Sequence, residues 1–292
     1  MTIQPNGTSK TSRGSVNKLV LICLLTAVLI LAAIMLFRKP AANPGETKLE
    51  ETSQSEGSQA QLTQSEDGQA QLTYSESTQE QYAEAVQDAI TIEEGEVQDL
   101  VTITEDSDLV TFNADKDKVL MLSFNNHPES YVEGETFTCE YGEIWTFTDK
   151  EIVQWYKENK DGVEDWTLRF NQLLGVPADK EYACVSAFWV DLDELKRPAY
   201  ETDITQQIDP EKLTTEDVDG IQDWFDDNIV WSYFDSAYPW TRLGYTYDWA
   251  DNDTDYGLSE FIILPDSVIE VEWTKNQAEF LDWLKEQAGE AD

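Results

Sequence analysis

The sequence predicts an α+β fold, a single mixed globular domain that follows one transmembrane helix and a disordered acidic stalk. Three observations carry that expectation. Leu19–Phe37 is a run of nineteen residues without a charge. A repetitive, acidic segment lacking basic residues follows it. Beyond about residue 99, period-two and period-3.6 apolar patterns mix without the regular strand–helix alternation of a doubly wound sheet.

The apolar run comes first. Nineteen uncharged residues are long enough to span a hydrocarbon core as a helix, whereas a core helix of a soluble domain is shorter and striped. A cleavable signal peptide has an apolar region of about 7–15 residues and small residues at its cleavage site. Here Arg38, Lys39 and Pro40 follow the run, so residues 19–37 read as an uncleaved signal anchor and single-pass membrane span. Lys10, Arg13 and Lys18 precede it and only Arg38 and Lys39 follow closely. The positive-inside rule then places residues 1–18 in the cytoplasm and the C-terminal part outside the cell membrane.

Charge is divided as sharply as hydropathy. The chain has 59 acids against 19 bases, a net charge of −40, yet residues 1–48 hold six bases and one acid. The acidic body repels phosphate backbones, which excludes nucleic acid as a partner. It also repels anionic lipid, so the apolar helix is the expected membrane contact. From Leu49 to Asp115 there are seventeen acids and no Lys, Arg or His. Within that stretch a decapeptide recurs as SQSEGSQAQL at 53–62, TQSEDGQAQL at 63–72 and TYSESTQEQY at 73–82, and no aromatic residue stands between Phe37 and Tyr74. Such a composition buries too little apolar surface to offset ordering, so residues 38–98 are expected to be a disordered spacer. Only the third repeat carries a helix signal. There Thr78 and Gln81 form a capping box ahead of Tyr82, Val86, Ala89 and Ile90 on one face.

Residues 99–292 hold the expected α+β domain. Asp108–Phe112 and Lys118–Phe124 suit strands, the second nearly continuous in apolar residues and hence central. Thr136–Phe147 alternates around Gly142, a turn or bulge. Thr148 with Glu151 should cap a helix bearing Ile152, Trp155 and Tyr156, and Trp166, Phe170, Leu173 and Leu174 stripe another closed by Gly175. Tyr182–Val190 is a buried strand. Glu216–Trp231 forms a helix with Val218, Ile221, Trp224, Phe225 and Ile229 on one side. Leu243–Trp249 and Leu258–Leu264 flank an acidic loop as a hairpin. Val268–Trp273 adds a strand, and Thr274 with Gln277 caps a last helix.

Signatures of catalysis are sparse. The single histidine, His127, excludes HExxH and every two-histidine metal pattern. There is no phosphate-binding GxxxxGK[ST] or GxGxxG loop, and Gly257-Leu258-Ser259-Glu260-Phe261 lacks the second glycine of a nucleophile elbow. Cys139 and Cys184, the two cysteines beyond the span, permit one disulfide in an oxidising exterior, a pair of buried free thiols, or a Cys–His pair with His127. Asp251, Asp253 and Asp255 alternate as in D-x-D-x-D calcium loops, but Tyr256 stands at the turn and Ile262 at the closing position, so a plain solvated hairpin tip competes with calcium; no other cofactor is indicated. All ten tryptophans follow residue 144. Most keep core spacing. Trp240, Arg242, Asp248 and Trp249 form the group that spacing explains least, a ligand platform or a packed core face, with Leu243, Tyr245, Tyr247 and Trp249 expected on one side of the strand.

Three segments carry a family resemblance: Trp166 to Pro177 (WTLRFNQLLGVP), Arg197-Pro198-Ala199-Tyr200, and Gly244 to Trp249 (GYTYDW). They resemble uncharacterised bacterial membrane-anchored envelope proteins without an assigned activity. The resemblance implies a bacterial, Gram-positive envelope setting and transfers no functional residue. Together these readings give an extracytoplasmic interaction module, with an envelope protein or glycan as partner. A carboxylate-dependent enzyme acting on a glycan is the alternative, and it needs two acids converging in one cleft.

Overall fold

Seven strands pair antiparallel in one sheet, and apolar alternation explains most of their placement. The computed structural model describes residues 61–64, 70–180 and 182–290. The expected cytoplasmic residues 1–18, the membrane span 19–37 and the greater part of the stalk lie outside the described residues. Among those described, no helix is long and apolar enough to cross a membrane.

Order begins earlier than Asp99. Two copies of the decapeptide face each other in a short antiparallel ladder, β1 (Gln61–Gln64) with β2 (Ala70–Thr73), where Leu62 pairs with Leu72 ten residues on. Helix α1 (Glu76–Asp88) follows. Its cap is Ser75, whose Oγ accepts from the Thr78 amide at 3.2 Å, rather than the expected Thr78. Ala85, Val86 and Ala89 are buried, with Tyr82 and Ile90 packed alongside. Over residues 74–98 alone, the expectation of disorder is therefore corrected. Averaged over sixty residues the composition is polar, but this last stretch carries one apolar stripe, and a stripe is enough when a core is there to receive it.

The large sheet runs in the order β4 (Thr136–Thr138), β11 (Val268–Asn276), β6 (Cys184–Asp191), β3 (Lys118–Asn125), β5 (Ile144–Thr148), β10 (Phe261–Ile263), β7 (Leu195–Lys196). β3 is central, as its apolar run requires. Val119 and Met121 enter one core cluster while Leu120 and Leu122 enter the other, one on each face. A bulge in β11 changes its allegiance between faces. Val271 lies opposite Phe188 and packs on one side; one extra residue later, Trp273 lies opposite Ala187 and packs on the other.

The helices of the domain are α2 (Asp149–Asn159), α3 (Trp166–Leu173), α4 (Gln222–Val230) and α5 (Gln277–Gln287). Residues of α2, α3 and α5 cover one sheet face through Ile152, Phe170, Phe280 and Leu284. The opposite face is closed by irregular chain carrying Val101, Ile103, Val110 and Ile204. The strand expected at Asp108–Phe112 reduces to one bridge, Phe112 with Val119. The helix expected over Glu216–Trp231 is interrupted, because Gly220 sits at φ 78°; α4 starts two residues later and runs into a π-helical turn, Trp231–Asp235.

A third cluster joins α1, α4 and the hairpin β8 (Tyr245–Tyr247) with β9 (Tyr256–Ser259). Leu243, Tyr245, Tyr247 and Trp249 all enter it, on the shared face that alternation predicts. The hairpin lies hard against the end of α3. A Cβ on Gly257 would stand 2.2 Å from Thr246 Oγ1 and 2.3 Å from the Leu173 carbonyl oxygen, so only glycine fits there.

Candidate ligand cavity

The sheet is not continuous, and its discontinuity makes a cavity. β3 pairs with β6 along all eight residues, but with β5 only through Met121–Thr148 and Leu122–Phe147. Beyond Leu122 the two strands part, while β5 stays paired to β10 through Ile144, Trp145 and Thr146. The space that opens has a volume of about 300 Å³, the lower end of the range for small-molecule sites. Ser123 and Phe124 of β3 and Ile144–Phe147 of β5 form two of its walls, and the chain after α3, the π turn and β8 complete it.

Aromatic rings dominate the lining: Phe124, Trp145, Tyr182, Tyr238 and Trp240 among them, with Trp231 at the rim. Trp145 meets Trp240 edge-on at 6.3 Å, and Trp231 stacks on Tyr238 at 5.6 Å with planes 10° apart. Trp231 keeps 49% of its surface exposed, and its neighbours Val230 and Phe234 are also exposed.

One buried acid stands among these rings. Glu260 lies between β9 and β10, where the chain leaves the hairpin and enters the sheet, and its backbone N–H donates to Gly244 at 3.0 Å. It lines the cavity and is 6% exposed, and its Oε1 has no hydrogen-bond partner. Burial pushes its carboxyl up to about 8, opposed by the Trp240 indole and by the charge of Arg197. The cavity also presents Glu143, and no Lys, Arg or His lines it.

The residues singled out from the sequence are placed differently. Trp240 lines the cavity, packs on Phe225 at 4.9 Å and donates its indole N–H to Pro198 O at 3.2 Å. Arg242 donates to the carbonyls of Ala89 and Ile90 at 3.1 and 2.8 Å and lies over the Tyr233 ring, so it caps the end of α1. Asp248 is 1% exposed and takes two N–H groups of Arg169, at 2.9 and 2.6 Å. Trp249 donates to Val176 O at 3.0 Å and meets Tyr82 edge-on at 5.5 Å. These last three hold the fold together and do not line the cavity.

In the acidic loop, Asp251, Asp253 and Asp255 are all exposed, and the backbone carbonyl of Asp255 accepts from the Asp248 N–H at 2.9 Å. Among the described residues no group of three or more His, Cys, Asp or Glu side chains is placed to hold a metal ion. For the cysteines, the sequence left open a disulfide, buried free thiols or a Cys–His pair, and the structure holds two buried free thiols, Cys139 and Cys184. The backbone N–H of Cys139 bonds to Ser267 and Cys184 pairs with Asn276, at opposite ends of β11, whereas a disulfide needs Cα atoms within about 7 Å. The Cys184 thiol donates to Asn125, and burial raises both thiols, Cys139 to about 11. With the His127 side chain 67% exposed, neither thiol has the features of an activated nucleophile.

Comparison with known protein families, with curated proteins and with solved structures finds no match. The geometry therefore stands alone. A second cleft, roofed by α2 and the hairpin, contains Glu151 and Asp248. Glu151, expected to complete a capping box, points inward instead. It accepts from the Ser259 amide and hydroxyl at 3.0 Å and from the Tyr256 hydroxyl at 2.9 Å. Glu151 and Asp248, the two buried acids among the five that line that cleft, are thus engaged by the protein's own donors.

Sequence reasoning missed Glu260 as a site residue. Its signal was present as one acid inside the apolar run Leu258–Leu264 (LSEFIIL). A charge in a buried strand either has a partner or a task.

Proposed function

We propose that this chain is a binding module whose ligand site is the aromatic cavity at the split between β3 and β5, displayed outside a cell membrane by the apolar segment 19–37 and the acidic segment that follows. One observation carries the reading. Glu260 is the buried acid that lines this cavity with an oxygen no group of the protein satisfies, whereas Glu151 and Asp248 in the other cleft are engaged. Burying a polar group without a partner is costly, and a ligand is a common reason for a fold to retain one. The half-exposed Trp231 supplies an aromatic rim through which a ligand would enter.

A carboxylate-dependent enzyme acting on a glycan is the second reading, favoured by the presence of Glu143 and Glu260 in one cavity. Ile144 pairs with Ile263 and Thr146 with Phe261, which places Glu143 and Glu260 about four residues apart along the ladder, on the order of 13 Å between Cα atoms. Glutamate side chains can close that to the carboxyl separation of about 5–10 Å that glycosidase pairs need, so the turnover assay below decides between the two readings.

The test is a screen of small aromatic fragments against the full chain in detergent, read by ligand-observed NMR. Binding in the wild type that Trp231→Ala weakens supports the cavity. No binding by any fragment, or binding that Trp231→Ala leaves untouched, removes it. Turnover of an oligosaccharide that both Glu143→Gln and Glu260→Gln abolish would replace binding by catalysis.

A further inference from the structure

We infer that the cavity recognises an organic ammonium group, held by the Glu260 carboxyl and the faces of the surrounding aromatic rings. This inference rests on the binding reading above and names the class of ligand.

Four observations converge on a cation with N–H donors. The lining holds two acids, Glu143 and Glu260, and no basic residue, so an anionic ligand would meet only like charge. Glu260 Oε1 is buried without a donor, and what a lone carboxyl oxygen lacks is an N–H or O–H group. The walls are tryptophan and tyrosine, whose ring faces attract cations, more strongly where water is excluded. The rest of the chain points the same way: its net charge of −40 raises the local concentration of cations around the mouth. A metal ion satisfies the charge but not the setting. Two carboxyls separated by a row containing Trp145 give too few oxygen ligands for calcium, and a cavity lined by rings favours a ligand with an apolar body.

The charged groups around Glu260 fit this assignment. Arg197, whose charge acts on Glu260, is fully buried and gives its Nη2 to the carbonyls of Val101, Ile204 and Gln206, while its Nε and Nη1 have no partner and so do not bond the Glu260 carboxyl. Tyr233 and Tyr245, which sense the Glu260 charge, have their hydroxyls raised well above the ordinary range by burial. An incoming ammonium thus meets no resident base committed to the carboxyl. On binding, the proton that burial keeps on Glu260 leaves to solvent and the ligand's charge replaces it.

The experiment compares three probes of one size on the full chain at about pH 8: benzylammonium, benzyl alcohol and benzoate. Calorimetry should find benzylammonium bound at least about tenfold more tightly than benzyl alcohol, one charge-assisted hydrogen bond being sufficient for that ratio, and benzoate not bound. Glu260→Gln, which keeps the shape of the side chain, should erase the preference for the amine, while Glu286→Gln, at an exposed acid outside the cavity, should retain it. Equal affinity for amine and alcohol in the wild type would overturn the cation assignment and leave the cavity as a binding site. A preference that survives Glu260→Gln would place the amine on the acidic surface and also overturn it. Binding of none of the three would remove the binding reading itself.

Discussion

A buried carboxyl that keeps its proton has a thermodynamic signature of its own. Glu260 has its carboxyl raised in the folded state to about 8, against 4.5 for the ordinary group. As pH rises past 4.5 the unfolded chain releases this proton while the folded protein holds it, so the unfolded state binds fewer protons and folding stability falls. The loss accumulates up to about pH 8 and then stops, with a slope of at most about 1.4 kcal/mol per pH unit. Glu260→Gln removes the titration. Urea unfolding should find the variant matched to the wild type near pH 4.5 and more stable than it above pH 8, because the other raised acids, Glu96, Asp149, Glu151 and Asp255, titrate in both proteins and cancel. Parallel pH curves would show that Glu260 does not carry the cost. A residue whose removal stabilises the fold is one kept for another purpose. The sequence offered this residue only as an acid in an apolar run. Its lack of a partner depends on which residues the fold brings around it, and that is not a local property.

At the scale of elements, legibility followed how local each cause was. β3 at the centre, the hairpin β8–β9 across the acidic loop and the closure of α3 at Gly175 were readable, since alternation, flanking turn residues and a positive-φ glycine act within a few positions. The identity of caps was not. Thr148 makes no side-chain cap bond, because Glu151 is drawn inward to Ser259, and the terminal helix is boxed by Asn276 with Glu279 in place of Thr274 with Gln277. α1 was misassigned to the stalk because its partners lie more than 140 residues away: Tyr82 donates to Ala237 O, Asp88 accepts from Tyr247, and Arg242 caps its final carbonyls. A chain beginning at Asp99 therefore lacks part of its core. Compared with one beginning at Thr73, it should melt lower by roughly 10 °C or more, at about 2–4 °C per kcal/mol for a domain of this size. Equal melting temperatures by circular dichroism would show α1 to be an appendage.

The molecule as a whole carries its charge in one sign. A net charge of −40 over 292 residues places most carboxylates within reach of others, and self-repulsion opposes the compact state until salt screens it. The melting temperature should accordingly rise as sodium chloride goes from about 0.01 to 0.15 M, over which the screening length falls from about 30 to 8 Å. A fall over that interval would mean that attractive pairs such as Arg169–Asp248 outweigh the repulsion. The split in the sheet acts at this scale too. In the backbone ladder, two residue pairs, Met121–Thr148 and Leu122–Phe147, join the four strands β4, β11, β6 and β3 to the three strands β5, β10 and β7, while Leu195, Phe261 and Ile263 pack with Val119 and Met121 in one core cluster across the same seam. The cavity is the space left on the one side of the seam where this ladder stops. Phe124 stands on one side of the seam and Trp145 on the other, so a molecule filling the cavity would touch both and supply there the cross-seam contact that the ladder lacks.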